Sequence, residues 1–170
     1  MSYYAHEFTA LVERFAVGKT RKFWYNVLFL PTELQPVLPF KDYPRLRVEG
    51  EIADIPVENA FIPTGDGRYY LIFSPLMIKE AALSLGDLVE MRFRIADQDR
   101  VNVPPLLEVA IKADTDLQSN WQALTPGKQR MLCQHVLSAK TEPTEAKRVR
   151  EAIAALALFA GDLRAWRKAR

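Results

Sequence analysis

A change of hydrophobic period at Pro104 divides this chain. Before it, apolar and polar residues alternate in the two-residue rhythm of strands with one wet face: Leu46, Val48 and Ile52 interleave with Arg47, Glu49 and Glu51, and Val89, Met91, Phe93 and Ile95 with Glu90, Arg92 and Arg94. After it, apolar residues recur at helical spacing: Leu106, Leu107, Ala110 and Ile111, then Leu117, Trp121 and Leu124, then Leu132, Val136 and Ala139, and finally Val149, Ile153, Leu156 and Ala160. Two side-chain periods cannot share one element, so the reading is a sheet-built domain over 1–103 and a helical region over 104–170.

Punctuation fills in the first domain. Strands are expected over 45–54, 57–62, 68–73 and 88–95, with turns at Asp54 to Pro56 and at Pro63-Thr64-Gly65-Asp66-Gly67. Gly50 falls on the inward parity of the first, where a missing side chain marks a bulge or a tight barrel corner. Ser74-Pro75 supplies a helix cap and a first helical residue, and Gly86 a stop, so a short helix is expected over 75–85. Phe23 to Leu30 is apolar on both parities, as in a strand covered on both faces, and a weaker strand runs through 6–14. The four prolines between Pro31 and Pro44 make a loop, either a plain connection or a lid over a barrel mouth. The fold class is therefore α+β: a small split β-barrel of five to six mainly antiparallel strands with short capping helices, followed by helices. Thr125-Pro126 caps a helix in the C-terminal region, and Pro143 breaks the chain so that Thr144 caps the last one, before Gly161.

With 170 residues, about half of them apolar, the chain can bury a substantial core. Its single cysteine, Cys133, rules out an intrachain disulfide and suits the cytoplasm, and the opening residues do not read as a secretory signal. The longest apolar stretch, 152–160, falls far short of the roughly 20 residues of a membrane span. Charge is uneven: residues 1–124 hold 13 Lys and Arg against 17 Asp and Glu, whereas residues 125–170 hold 10 against 4, so the net charges are −4 and +6. That basic end is either a solvated helical face or a docking surface for an acidic protein or a phosphate group.

No reaction is specified. The histidines, His6 and His135, fit no metal-ligand pattern, Cys133 and His135 diverge by about 200° on a helix, and no nucleophile elbow or dinucleotide fingerprint is present, so neither metal nor cofactor is expected. Lys140, Thr144, Lys147 and Arg148 form the candidate anion site, with hydroxyl and free N–H groups at a helix start and cations one turn in. Trp24, Tyr25, Tyr69 and Tyr70 are the candidate lining of a ligand pocket in the barrel mouth.

The order Val48-Glu49-Gly50, Gly65-Asp66-Gly67, Gly86-Asp87-Leu88-Val89 and Asp97…Arg100…Val103-Pro104 resembles a bacterial domain of unknown function (the 1905 type). The later stretch with Ala139-Lys140, Thr144 and Arg148 resembles the YdeI/OmpD-associated, bacteriocin-protection family, and together the two span about residues 6–160. The resemblance implies a split barrel with capping helices, near the swapped-hairpin barrels of bacterial transition-state regulators, and a link to envelope or stress protection; it supplies no reaction. Two positions depart from the family pattern: Glu145 follows the threonine where arginine is usual, and Ile78 precedes Lys79 where arginine is usual. Three functions follow as expectations. The favoured one is a non-catalytic interaction module with the barrel as scaffold and the basic helices as docking surface. The others are a dimeric nucleic-acid binder and a small-ligand carrier or enzyme using the barrel mouth.

Overall fold

The computed structural model describes residues 3–170. It divides into two compact units, one ending at Gln98 and one running from Asp99 to Arg170.

The first unit is a closed, wholly antiparallel barrel. Its strands are β1 (His6–Val17), β2 (Phe23–Phe29), β3 (Leu46–Ile52), β4 (Ile55–Pro63), β5 (Tyr69–Ile72) and β6 (Leu88–Ile95), in the ring order β1-β2-β5-β4-β3-β6. Alternation sets the inner face: on β3, Leu46, Val48, Gly50 and Ile52 are buried while the residues between them are half-exposed. Gly50 lies opposite both Val57 and Phe93, and a Cβ there would stand 2.1 Å from the Arg92 carbonyl oxygen and 2.9 Å from Phe93 Cβ. The inward glycine thus lets β6 pass close and gives the Phe93 ring its place in the core. Outside, β3 and β6 are laced by charge: Arg92 reaches Glu51 at 3.0 Å and Asp54 at 2.7 Å, and Arg94 pairs with Glu49.

The ring is thinnest at β5, which pairs with β4 through two residue pairs and with β2 through three. A segment packs on the core at each end of the barrel. At one, the segment after β2, a 3-10 turn over Thr32–Val37 and its continuation, sends Leu38 and Phe40 into the core, with Phe40 stacked on Tyr69 at 3.7 Å. At the other, helix α1 (Pro75–Glu80), capped by Ser74, packs Met77 and Ile78 against the same core. The helix is shorter than the expected 75–85. Ala82 takes a left-handed conformation and Leu83 N–H donates back to the Ile78 carbonyl, a helix stop that delivers Leu83 to the barrel. Gly86, expected as that stop, instead forms the turn into β6, its N–H bonded to Val12 O.

A second departure is in β2. It is not covered on both faces throughout: Val27 and Leu28 are buried, but Phe23, Trp24 and Tyr25 are exposed. The cause is the shortness of β5, whose pairing reaches only Val27 and whose last contact is the Phe73 N–H to Asn26 O.

The second unit contains α2 (Pro105–Lys112), α3 (Thr115–Gln122), α4 (Pro126–Leu137), α5 (Glu142–Leu158) and α6 (Leu163–Lys168). Leu107, Ile111, Leu117, Leu132, Val136, Val149, Ala152 and Leu156 make its core, and Asn120 donates to Leu156 O. Helix α5 ends at Leu158, so Ala160 leaves the expected apolar stripe; it is exposed, in a left-handed turn before Asp162 caps α6. Among the described residues no helix is long and apolar enough to cross a membrane.

Candidate functional site: the basic, aromatic ribbon

The barrel has no room for a ligand at its centre. Phe8, Val12, Leu28, Leu46, Ile52, Phe61, Met91 and Phe93 fill it in ring-to-ring and aliphatic contact, with Phe40 and Met77 packed on them from the flanking segments. The four aromatic residues expected to line its mouth do not converge. Trp24 and Tyr25 project beyond the barrel, and Tyr69 lies beneath the Phe40 plug. Leu71 points inward, so alternation sends Tyr70 outward, where it packs on Phe15 and Phe29.

The anion candidates fare differently one by one. Thr144 is not the cap of α5. Thr141 is: its hydroxyl accepts from Thr144 N–H and donates to Thr144 Oγ1, and Pro143 sits in the first turn, where a missing N–H costs nothing. Glu142 and Glu145 occupy the same turn and neutralise its positive end. Arg148 is engaged at the end of α4, its Nη1 donating to the His135 carbonyl and to Ser138 Oγ. Lys140 and Lys147 remain exposed on the surface. The cap assignment has a direct consequence. Thr141→Ala is expected to cost about 1 kcal/mol in urea or thermal unfolding, and Thr144→Ala less than about 0.5 kcal/mol; the reverse order would return the cap to Thr144.

Other chemistry-bearing groups are occupied in packing. Burial pushes the Cys133 thiol up to about 11, so it carries no thiolate at neutral pH. His135 Nε2 lies 2.7 Å from Glu151 Oε2, and the His6 ring packs on Phe93.

What stands free is the hairpin of β1 and β2. Residues 12–17 pair with 23–28, whereas β6 pairs with β1 only over His6 to Leu11. Beyond Asn26 on one strand and Val12 on the other, the two strands have no further sheet partner among the described residues and run on as a two-stranded ribbon, at the barrel end where α1 packs. Its turn depends on Gly18, at φ +126°, where a Cβ would strike the Arg21 carbonyl oxygen at 2.1 Å. The tip is Lys19-Thr20-Arg21-Lys22, all exposed, and directly behind it come Phe23, Trp24 and Tyr25. Trp24 is 61 % exposed because its cross-strand partner is the small Ala16. Arginines lie over the rings: Arg14 is 5.5 Å from the Trp24 centroid and Arg21 is 5.2 Å from that of Phe23. Nearer the barrel, Arg68 lies 4.7 Å from the Phe29 centroid, held by Asp66, whose carboxyl its hydrogen bonds draw down to about 2 with help from Thr64. The Gly65-Asp66-Gly67 turn itself joins β4 to β5 as a plain hairpin.

Charge counted over half-chains hides this site. Residues 12–26 carry Arg14, Lys19, Arg21 and Lys22 against Glu13 alone, a local +3 inside a stretch of chain that sums to −4. A charge count in a short window, read together with the adjoining aromatic run, is the signal that finds it.

Residues 100–158 match the family described as bacteriocin-protection, YdeI or OmpD-associated. The match to this family, OmdA, covers α2 to α5, about a third of the chain. The OmdA segment thus takes in Lys140, Thr144, Lys147 and Arg148 and leaves the barrel and its ribbon outside. No curated protein and no solved structure matches the chain.

Proposed function

We propose that the chain is a non-catalytic binding module for an anionic partner, with the barrel as scaffold and the β1–β2 ribbon as its working surface. The observation that carries this reading is the contrast between a barrel interior packed with apolar side chains and a projecting hairpin that gathers four cations and three exposed aromatic rings. Binding energy must come from the outer surface, and an arginine held over a ring keeps both its charge and a flat apolar face ready for contact. The C-terminal helices carry positive charge of their own, with Lys140 and Lys147 exposed. The single buried thiol suits action in the cytoplasm.

The test is retention on a heparin matrix. The triple variant Lys19→Gln, Arg21→Gln, Lys22→Gln is expected to elute at markedly lower salt than the parent, and Lys140→Gln, Lys147→Gln close to it. Equal elution of the triple variant and the parent would remove the ribbon from the binding surface and return the role to the helices.

A further inference from the structure

Resting on that reading of the ribbon, we infer that its ligand is single-stranded nucleic acid, with the phosphate backbone on the basic tip and unpaired bases stacked on the aromatic residues behind it.

The order of residues along the ribbon carries the inference. A membrane-inserting hairpin puts rings at its tip and cations behind them, at headgroup level. Here the order is reversed: Lys19, Arg21 and Lys22 are outermost, and Phe23, Trp24 and Tyr25 lie closer to the barrel. Driving these rings into a bilayer would carry three charges into it first, at a cost of about 2.5 kcal/mol or more for each one that reached the bilayer centre. A protein partner of the apolar kind would demand a continuous apolar patch, but on this ribbon Phe23 and Trp24 each lie under an arginine, and Lys22 adjoins Phe23 in sequence. A nucleic-acid strand satisfies both features at once, since its charge and its flat apolar surfaces alternate along one chain.

Single strand is favoured over duplex by the way the rings are presented. Phe23 and Trp24 are neighbours in a strand and so project from opposite faces of the ribbon, each half-exposed or more. A duplex offers base edges in its groove and keeps its base faces stacked on one another, so exposed rings gain little there. Unpaired bases offer their faces, and stacking on a ring is worth about 1–3 kcal/mol per base. The pattern names no base, because no side chain at the tip is held in a fixed bidentate geometry. Binding is therefore expected to be tolerant of sequence and steep in salt.

Fluorescence anisotropy with the full-length protein and a labelled 12-nucleotide poly-dT strand tests this. Binding is expected to weaken as salt rises, with a log–log slope of about −2 for three phosphates neutralised. Trp24→Ala should weaken binding about tenfold or more while leaving the melting temperature in place, because the ring lies outside the core. Arg21→Gln, equally exposed, should lower the slope by about 0.7. A duplex of the same length bound more tightly than the strand would overturn the inference, as would a Trp24→Ala variant that binds like the parent. So would competition by inorganic polyphosphate as effective as that of unlabelled strand; in that case the anion-binding role of the ribbon, read from heparin retention, would stand without the bases. Capture by anionic vesicles, or self-association through the ribbon, with no strand bound, would equally overturn it.

Discussion

Phe61→Ala is expected to lower the stability of the barrel unit by about 3–5 kcal/mol, the largest loss available from one side chain in this protein. Phe61 is fully buried on β4 and meets three other rings, Phe8, Phe40 and Phe93, with centroids 6.4, 6.4 and 5.4 Å away. Phe40 comes from the segment after β2, Phe93 from β6 and Phe8 from β1, so the ring touches segments far apart in sequence. Its removal costs the transfer of the ring from water and also leaves a cavity that four separately anchored elements cannot all move to fill. A domain of this size has about 5–15 kcal/mol in total, so the variant is close to unfolding at room temperature. Phe61→Leu, which keeps most of the volume, is expected to stay folded and lose about a third as much. Urea unfolding followed by far-ultraviolet circular dichroism gives both values. A loss under about 1 kcal/mol for Phe61→Ala would mean that the barrel interior tolerates empty space, and a ligand in the barrel mouth would return as a serious reading.

The second large effect comes from adding a single carbon. Gly50→Ala is expected to destabilise the barrel by about 2–3 kcal/mol or more, a fall of about 10 °C or more in its melting temperature. The new Cβ would lie 2.1 Å from a backbone oxygen on β6 and 2.8 Å from Phe93 Cα, and a ladder strand cannot retreat without breaking its pairing to β1 on the other side. Gly127→Ala is the control. Its Cβ meets nothing within 4 Å and the position is in the first turn of α4, so alanine there is expected to be neutral or slightly stabilising. If the two alanine variants melt alike, β3 and β6 do not pack in the register described, and the inward face of the barrel has to be reassigned.

Much of this was readable from residues alone because it rests on local chemistry. Alternation located β3 and β6, the inward glycine of β3 was visible as such, and Ser74-Pro75 and Thr125-Pro126 started their helices as expected. Thr144 and Thr141 are both competent caps with a proline between them, and the choice depends on which turn the helix can begin without stranding an N–H; starting at Glu142 puts Pro143 where it has none to lose. Gly86 has the propensity of a helix stop, yet Leu83 packs on the barrel core and an alanine, Ala82, takes the left-handed turn. Helix α6, six residues long, is too short to show a helical period in the sequence.

The candidate site shows the division most clearly. Lys19 to Tyr25 is a basic run followed by an aromatic run, and the residues themselves establish that much, together with the glycine that allows the turn before them. Whether Phe23, Trp24 and Tyr25 are core or surface is decided by β5, a strand more than forty residues away that ends too soon to cover them. Burial of a strand is a property of its neighbours, so only the closed ring of six strands turns an apolar stretch of sequence into an exposed ribbon.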